Sequence, residues 1–184
     1  ASGQGGSSYE IERSLRFNSA DSAYLNKTPS ATGNLKTWTW SNWVKKSNVG
    51  SEQFLLRSDI GGGNNRDAIR FESTDKLRVF FNGTSSGDLI TDQVFRDPSA
   101  WYHLVVAVDT TQSTAADRVK IYVNGIQVTS FSTSTYPTQN YNTGTFVSGK
   151  AATIGRDSSS NYLNGYLADV HFIDGQALAP TDFG

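Results

Sequence analysis

Residues 118–131, Arg-Val-Lys-Ile-Tyr-Val-Asn-Gly-Ile-Gln-Val-Thr-Ser-Phe, decide the fold class. Apolar and polar side chains alternate on both sides of Asn124-Gly125, which is the period of two that a half-buried β-strand requires. Asn-Gly tolerates positive φ at both central positions, so it favours the type I′ turn that joins two antiparallel strands. The stretch therefore predicts a β-hairpin.

The rest of the chain repeats this pattern of short runs separated by turn residues. No segment of ten or more residues has apolar side chains at i, i+3, i+4 and i+7, which argues against helices. Asn82-Gly83 indicates a second turn, with a longer connection after it, and Asn164-Gly165 and Asp174-Gly175 indicate turns near the C-terminus. Together these signals predict an all-β fold, a β-sandwich of two stacked antiparallel sheets. Ten runs are predicted as strands: Leu15–Phe17, Thr37–Lys45, Gln53–Arg57, Ala68–Phe71, Lys76–Asn82, Trp101–Asp109, Arg118–Asn124, Ile126–Phe131, Ala152–Gly155 and Tyr166–Ile173.

Length and composition narrow the class of protein. At 184 residues the chain suits one domain. Residues 1–10 are rich in Gly and Ser, which predicts a linker to a larger protein and leaves 11–184 as the sandwich domain. Sixteen Lys and Arg against 17 Asp and Glu give a net charge of -1, which provides no basic field for nucleic acid. There is no cysteine, and no apolar run approaches the ~20 residues of a membrane helix, so membrane insertion is not expected.

Three stretches of the sequence carry a family resemblance. The first is Trp38-Thr-Trp-Ser-Asn-Trp-Val-Lys45. The second is Trp101-Tyr-His-Leu-Val-Val-Ala-Val-Asp109, followed by Val119-Lys-Ile-Tyr-Val-Asn-Gly-Ile-Gln-Val128. The third runs from Ala152-Thr-Ile-Gly-Arg-Asp157 to Leu178. In this order and spacing they resemble laminin-G-like domains, which have the concanavalin A-like jelly-roll fold.

The resemblance implies a lectin-like module that binds carbohydrate. Some domains of this fold cleave glycans, and it is the lack of a carboxylate pair, described below, that predicts a module that is not an enzyme. The last stretch, with the terminal Asp182-Phe-Gly184, also resembles laminin-G-like domains encoded by marine bacteriophages. That likeness implies an adhesion or attachment module, extracellular or on a virion surface, whose partner is a glycan or glycoconjugate on a cell surface. The family often binds Ca²⁺, an ion that takes six to eight oxygen ligands. The residues nearest to the family's metal ligands are Asp109 and Asp157.

Aromatic and amide side chains collect in the polar stretch 129–150. Sugars are bound by aromatic faces against their C–H surfaces and by amides at their hydroxyls. A structureless connection of this length is also unusual unless it is functional. The alternative is that its aromatic rings pack the loop onto the sandwich. The candidate carbohydrate-binding residues are Tyr136, Tyr141, Asn140 and Asn142, with Asn64 and Asn65 in a Gly-rich loop.

The four tryptophans, Trp38, Trp40, Trp43 and Trp101, lie within predicted strands, which favours core burial over sugar stacking. Because side chains alternate along a strand, Trp38 and Trp40 share one face and Trp43 takes the other. One of them is therefore expected to be partly exposed.

Two other function classes stay open beside carbohydrate binding. The first is a structural or protein-interaction sandwich with no sugar site. The second is a glycan-cleaving enzyme, which needs a positioned carboxylate pair. None of the four glutamates, Glu10, Glu12, Glu52 and Glu72, lies in a Glu-x-Asp-x-Glu strand. His103 and His171 accompany no Gly-x-Ser-x-Gly motif, which favours structural histidines over a catalytic triad.

Overall fold

The computed structural model describes residues 11–62 and 65–184, and this part of the chain forms a β-sandwich. The predicted linker at 1–10 lies outside the described residues. The only helical segments described are four 3-10 turns of three residues each, far too short to cross a membrane. The strands are β1 (Leu15–Phe17), β2 (Leu25–Lys27), β3 (Thr37–Lys46), β4 (Gln53–Gly62), β5 (Asn65–Phe71), β6 (Lys76–Phe81), β7 (Gly87–Val94), β8 (Tyr102–Asp109), β9 (Val119–Val123), β10 (Ile126–Gln127), β11 (Phe131–Thr135), β12 (Ala152–Ile154) and β13 (Gly165–Asp174).

The strands form two antiparallel sheets, which confirms the predicted fold class. One sheet has six strands in the order β1-β13-β3-β8-β9-β10, and the other has seven in the order β11-β7-β6-β5-β4-β12-β2. Consecutive strands therefore often belong to different sheets. The start of β3 at Thr37, the end of β8 at Asp109 and the loop after β11 meet at one end of the sandwich, where the candidate site lies.

The hairpin predicted at Asn124-Gly125 is present. Asn124 and Gly125 have φ of 50° and 80°, and Ile126 pairs with Val123 across the two-residue loop. The strand predicted at Ile126–Phe131 is wrong in one respect. The strand that pairs with β9 ends at Gln127, and Phe131 begins β11 at the edge of the other sheet.

Two glycine turns near the C-terminus have different outcomes. Gly175 has φ of 79° just after β13, as a turn residue should. Gly165 instead begins β13 opposite Lys46. A Cβ at Gly165 would collide with the backbone carbonyl of Lys45, so glycine is required there for close approach of two strands.

Alternation along β3 separates its tryptophans as expected. Trp38 and Trp40 are 1% exposed in the core between the sheets, and their indole N–H groups donate to Thr143 Oγ1 (3.0 Å) and Asn42 Oδ1 (2.8 Å). Trp43 lies on the outer face, half-buried and stacked on His103 with ring centroids 4.9 Å apart. Trp43 is thus the partly exposed tryptophan that the alternation predicts, whereas Trp101 is also half-buried and core burial was the wrong expectation for it.

Candidate functional site

The loop at 136–151 is fixed to the seven-stranded sheet by one buried carboxylate. Asp67 of β5 accepts hydrogen bonds from the Gly144 N–H (2.6 Å), the Thr145 hydroxyl (3.1 Å) and the Asn82 N–H (2.9 Å). The side chain is 3% exposed, and burial raises the pKa of Asp67 to about 6 although the three donors oppose that rise. The position of the loop therefore depends on a carboxylate that water does not reach.

The same loop is held to the six-stranded sheet by backbone contacts. The Thr143 N–H donates to the Leu35 carbonyl (2.8 Å), and the Asn140 N–H donates to the Thr110 carbonyl (2.7 Å). The Thr110 hydroxyl in turn donates to the Tyr141 carbonyl (2.7 Å). We call this end of the sandwich, formed by residues 34–37, 109–113 and 136–145, the rim. Because both sheets fix it, a ligand would meet a preorganised surface.

The sequence-predicted residues of this loop divide between packing and exposure. Tyr136 and Tyr141 are half-buried and contact the hydrophobic core, and Tyr141 also hydrogen-bonds with Ser86. Asn140 and Asn142 are exposed, and the side-chain amide of neither residue forms a hydrogen bond with another described residue. The rings thus have the packing contacts of the alternative interpretation, while the amides are available to a ligand. Their role in binding stays a prediction.

The second predicted group lies at the tip of the β4–β5 hairpin. Asn65 begins β5 and is exposed, whereas Asn64 lies outside the described residues. Ile60 of β4 contacts Gly144 so closely that a Cβ at Gly144 would collide with it. This hairpin therefore packs near its tip on the 136–151 loop.

A polar pocket opens beside the rim on the outer face of the six-stranded sheet. Its volume is about 250 Å³. Residues 177–179, which follow β13, close one wall of the pocket. It is lined by Ala107, Asp109, Gln112, Asp117, Lys120, Tyr122, Ala177, Leu178 and Ala179.

Hydrogen bonds orient the carboxylate at the centre of this pocket. Asp109 Oδ1 accepts from the Thr111 N–H (3.1 Å) and hydroxyl (2.6 Å), and Oδ2 accepts from Gln112 Nε2 (2.6 Å). Burial works to raise the pKa of Asp109, but these donors outweigh burial and hold the pKa below its usual value. Across the pocket, Asp117 and Lys120 form an ion pair at 3.1 Å. The pocket thus offers fixed acceptors, one ammonium donor and the half-buried ring of Tyr122.

The pocket residues other than Asp109 were not among the candidates that the sequence indicated. The signal was present, because Lys120 and Tyr122 alternate with the buried Val119, Ile121 and Val123. That alternation places both on the outer face, together with Asp109 of the neighbouring strand. Nothing in the sequence of residues 177–179 indicates that they line this pocket.

The two aspartates predicted as calcium ligands lie on opposite outer faces of the sandwich. Asp157 Oδ1 is 2.9 Å from Arg57 Nε and 3.4 Å from Arg66 Nε, beside the seven-stranded sheet. Asp109 is on the six-stranded sheet. Within residues 11–62 and 65–184, no three His, Cys, Asp or Glu side chains form a group that could hold a metal. Calcium binding stays a prediction, and the structure does not bring these two carboxylates together.

The remaining catalytic candidates have structural partners. Glu52 and Glu72 both pair with Arg70 Nη2, at 3.0 and 2.8 Å. His103 is 5% exposed, and its Nε2 lies 2.9 Å from the buried Ser41 hydroxyl. His171, by contrast, is exposed and stands against Phe183 with ring centroids 5.7 Å apart. The Ser41–His103 pair is buried and therefore does not provide a solvent-accessible nucleophile beside a base.

Comparison with known proteins agrees with the architecture. Residues 18–182 match a family model described as the concanavalin A-like lectin/glucanases superfamily. A search of curated protein sequences found no match.

Solved structures with a similar fold share little sequence with the chain. A Ruminococcus gnavus IT-sialidase CBM40 bound to α2,3 sialyllactose has a TM-score of 0.61 at 13% identity, covering 86% of this chain and 96% of that one. Domain 4 of the Geobacillus stearothermophilus arabinanase AbnA, in complex with arabinotriose, has 0.58 at 14%, covering 87% and 70%. A SAP-like pentraxin from Limulus polyphemus has 0.55 at 13%, covering 81% and 68%. At identities this low, the structural similarity shows a common fold and nothing more.

Proposed function

Because the chain belongs to the concanavalin A-like lectin/glucanase superfamily, we propose that it is a non-catalytic carbohydrate-binding module that holds a glycan at the rim. The observation that carries the proposal is the polar pocket at Asp109, which adjoins the fixed loop with the exposed amides of Asn140 and Asn142. The glycans in two of the similar structures, arabinotriose and sialyllactose, support this class of ligand.

Each group in the pocket has a chemical counterpart on a sugar. Carboxylate oxygens of Asp109 and Asp117 accept hydrogen bonds from hydroxyls, and the Lys120 ammonium donates to a hydroxyl or ring oxygen. The Tyr122 ring supplies an apolar face for C–H groups. Because Asp109 is already oriented by Thr111 and Gln112, little side-chain entropy is lost when a sugar binds.

The rim extends this contact beyond one sugar ring. Gln139 Nε2 donates to the Thr111 carbonyl (3.0 Å), which places the 139–142 segment against the turn that also carries Gln112. Asn140 has φ of 61°, a left-handed conformation that Asn tolerates better than most residues. A glycan in the pocket can therefore continue toward Asn140 and Asn142.

The setting that we propose is an attachment module of a larger extracellular or virion-surface protein, with a cell-surface glycan as partner. The sequence resemblance to laminin-G-like domains of marine bacteriophages supports it. A structural or protein-interaction role without a sugar site is the alternative, and the polar pocket favours binding over it.

A glycan array on the isolated domain identifies the ligand, and calorimetry on variants locates it. We expect Tyr122→Ala and Asp117→Asn each to weaken binding by about five- to 150-fold, the range of a residue worth ~1 to 3 kcal/mol. The matched control is Tyr24→Ala, which removes an exposed tyrosine from the other sheet. Equal affinity of Tyr122→Ala and Tyr24→Ala would contradict the proposed site.

Turnover separates a binding module from an enzyme. We expect the domain to release neither reducing ends nor unsaturated products from the glycan that it binds. Product formation that persists through repurification and disappears in Glu52→Gln or Glu72→Gln would show that the carboxylates around Arg70 are catalytic.

A further inference from the structure

A row of alternating cations and aromatic rings crosses the outer face of the six-stranded sheet, at the end away from the rim. Tyr166 of β13 pairs with Arg16 of β1 on one side and with Lys45 of β3 on the other. Trp101 precedes β8, whose Tyr102 pairs with Val44, so Trp101 follows Lys45 in the same row. The Trp101 and Tyr166 rings have centroids 6.4 Å apart. We call Arg16, Tyr166, Lys45 and Trp101 the cation–aromatic row.

The row is accessible and its guanidinium is oriented. Arg16 is exposed, and the other three side chains are half-buried. Arg16 Nη1 donates to the Tyr166 hydroxyl (3.0 Å) and Nη2 donates to Asn164 Oδ1 (3.2 Å), with the guanidinium 5.0 Å from the Tyr166 ring centroid. These partners fix the geometry of Arg16 without neutralising its charge.

The cations of the row differ in their ion pairing from the arginines of the opposite sheet. Among the described residues, neither Arg16 nor Lys45 has a carboxylate within ion-pair distance. Asp97 interacts with Lys45 only at longer range, and its Oδ1 accepts from the Ser99 N–H (2.8 Å) and hydroxyl (2.6 Å). On the seven-stranded sheet, arginines are matched with carboxylates within 4.0 Å: Arg57, Arg66, Arg70 and Arg78.

We propose that the cation–aromatic row is a second glycan-binding surface that takes a linear acidic polysaccharide built from uronic acids. Arg16 and Lys45 stand two strands apart, about 10 Å at ~4.8 Å per strand. That spacing suits carboxylates on sugars two positions apart in a chain lying across the strands. Tyr166 and Trp101 provide apolar faces for the rings, and the cations pair with the carboxylates. This surface is separate from the rim and does not depend on it.

Tryptophan emission provides a direct readout, because only Trp43 and Trp101 are accessible while Trp38 and Trp40 are buried. We expect a short oligogalacturonate to shift the emission of the domain in a saturable way at low salt. The matched ligand, the fully methyl-esterified oligomer, has the same backbone without charge and should bind at least about ten-fold more weakly. Added salt should weaken the acidic ligand, since screening acts on exposed ion pairs.

Variants assign the binding to the row. Arg16→Gln/Lys45→Gln should lower the affinity for oligogalacturonate about ten-fold, since each exposed ion pair contributes up to ~1 kcal/mol. The matched control is Lys27→Gln/Lys150→Gln, which removes the same charge from other exposed positions and should retain affinity within about two-fold. The single variant Lys45→Gln, with an unchanged melting curve, excludes misfolding as the cause of a loss.

Three results would overturn the proposal. They are equal binding of the esterified and free oligomers, an equal loss in the control double variant, or no emission change at any oligogalacturonate concentration. Loss of oligogalacturonate binding in Tyr122→Ala would place the acidic ligand in the rim pocket instead. Retained binding in that variant, together with loss in Arg16→Gln/Lys45→Gln, supports a second surface even if the rim binds no sugar.

Discussion

Asp67 makes the stability of the rim depend on pH in a direction opposite to that of ordinary surface carboxylates. Burial raises its pKa from 3.8 to about 6 in the folded protein. A folded state with the higher pKa holds its proton more tightly than the unfolded chain does. The contribution of the protonated Asp67 carboxyl to the unfolding free energy is therefore fully present below pH ~4 and is lost as the pH rises through about 6.

The size of this effect follows from the two pKa values. At about 1.4 kcal/mol per pH unit, the interval from 3.8 to about 6 corresponds to roughly 3 kcal/mol of unfolding free energy. Asp75 and Asp109 act in the opposite sense, because their folded pKa values are lowered and their stabilisation is lost as the pH falls. The Asp67 contribution must therefore be isolated by a difference between variants.

Asp67→Asn removes the titrating group while retaining its shape. We expect urea unfolding at intervals from pH 4 to pH 7 to show the wild type losing about 2.4 kcal/mol relative to Asp67→Asn, because the carboxyl of the unfolded chain is already more than half ionised at pH 4. The amide also turns a donor toward Gly144 or Thr145, which lowers the stability of the variant by a constant amount. A difference between the two proteins that stays constant from pH 4 to 7 would refute the argument from burial.

Three further predictions concern stability. Lys46 is fully buried, and its Nζ lies 2.8 Å from Asp75 Oδ1. Lys46→Met should therefore lower the free energy of urea unfolding by about 3 kcal/mol, because it leaves a buried carboxylate with fewer partners. A loss below ~1 kcal/mol would show that the pair is dispensable. Gly165→Ala should lower the unfolding free energy by about 1 to 3 kcal/mol, because the added Cβ meets a backbone carbonyl of β3; unchanged stability would contradict the close approach. Calcium added after chelation should raise the melting temperature by several degrees, and the rise should be lost in Asp109→Ala. The two arginines beside Asp157 predict that the rise does not depend on that residue, and an unchanged melting curve would overturn the calcium prediction.

The sequence predicts the sandwich because its signals are local. The Asn124-Gly125 turn and the alternation around it need only neighbouring residues, and both are confirmed. The separation of Trp40 from Trp43 follows from the same period of two. These features depend on strand geometry alone, which is the same in any antiparallel sheet.

Three strands were missed, β2, β7 and β11, and the first two have weak patterns. β2 is a three-residue edge strand whose side chains are all exposed, so no buried face imposes an alternation. β7 begins at Gly87 and carries Asp88, residue types that are depleted in strands. Asp88 is accommodated because Arg78 of β6, which lies diagonally across from it, pairs with it at 2.7 Å. That pairing is a tertiary contact which the sequence of β7 does not contain.

The candidate site was only partly predictable, for the same reason. The side-chain amides of Asn140 and Asn142 are exposed on the loop, as its polar composition suggests. The pocket, however, is assembled from β8, β9 and residues 177–179, which are distant in the chain. Its residues come together only when β8 pairs with β9 and residues 177–179 cross the outer face of their sheet.

The central claim is that a glycan occupies the pocket at Asp109, and amide chemical shifts test it most directly. In an NMR titration with the glycan identified on the array, we expect saturable shifts concentrated at Gln112, Lys120, Tyr122 and Asn140. The amides of Arg57 and Arg70, on the opposite sheet, should remain unchanged. Saturable shifts confined to the seven-stranded sheet, or no saturable shifts with any glycan, would contradict the assignment of the rim as the carbohydrate-binding site.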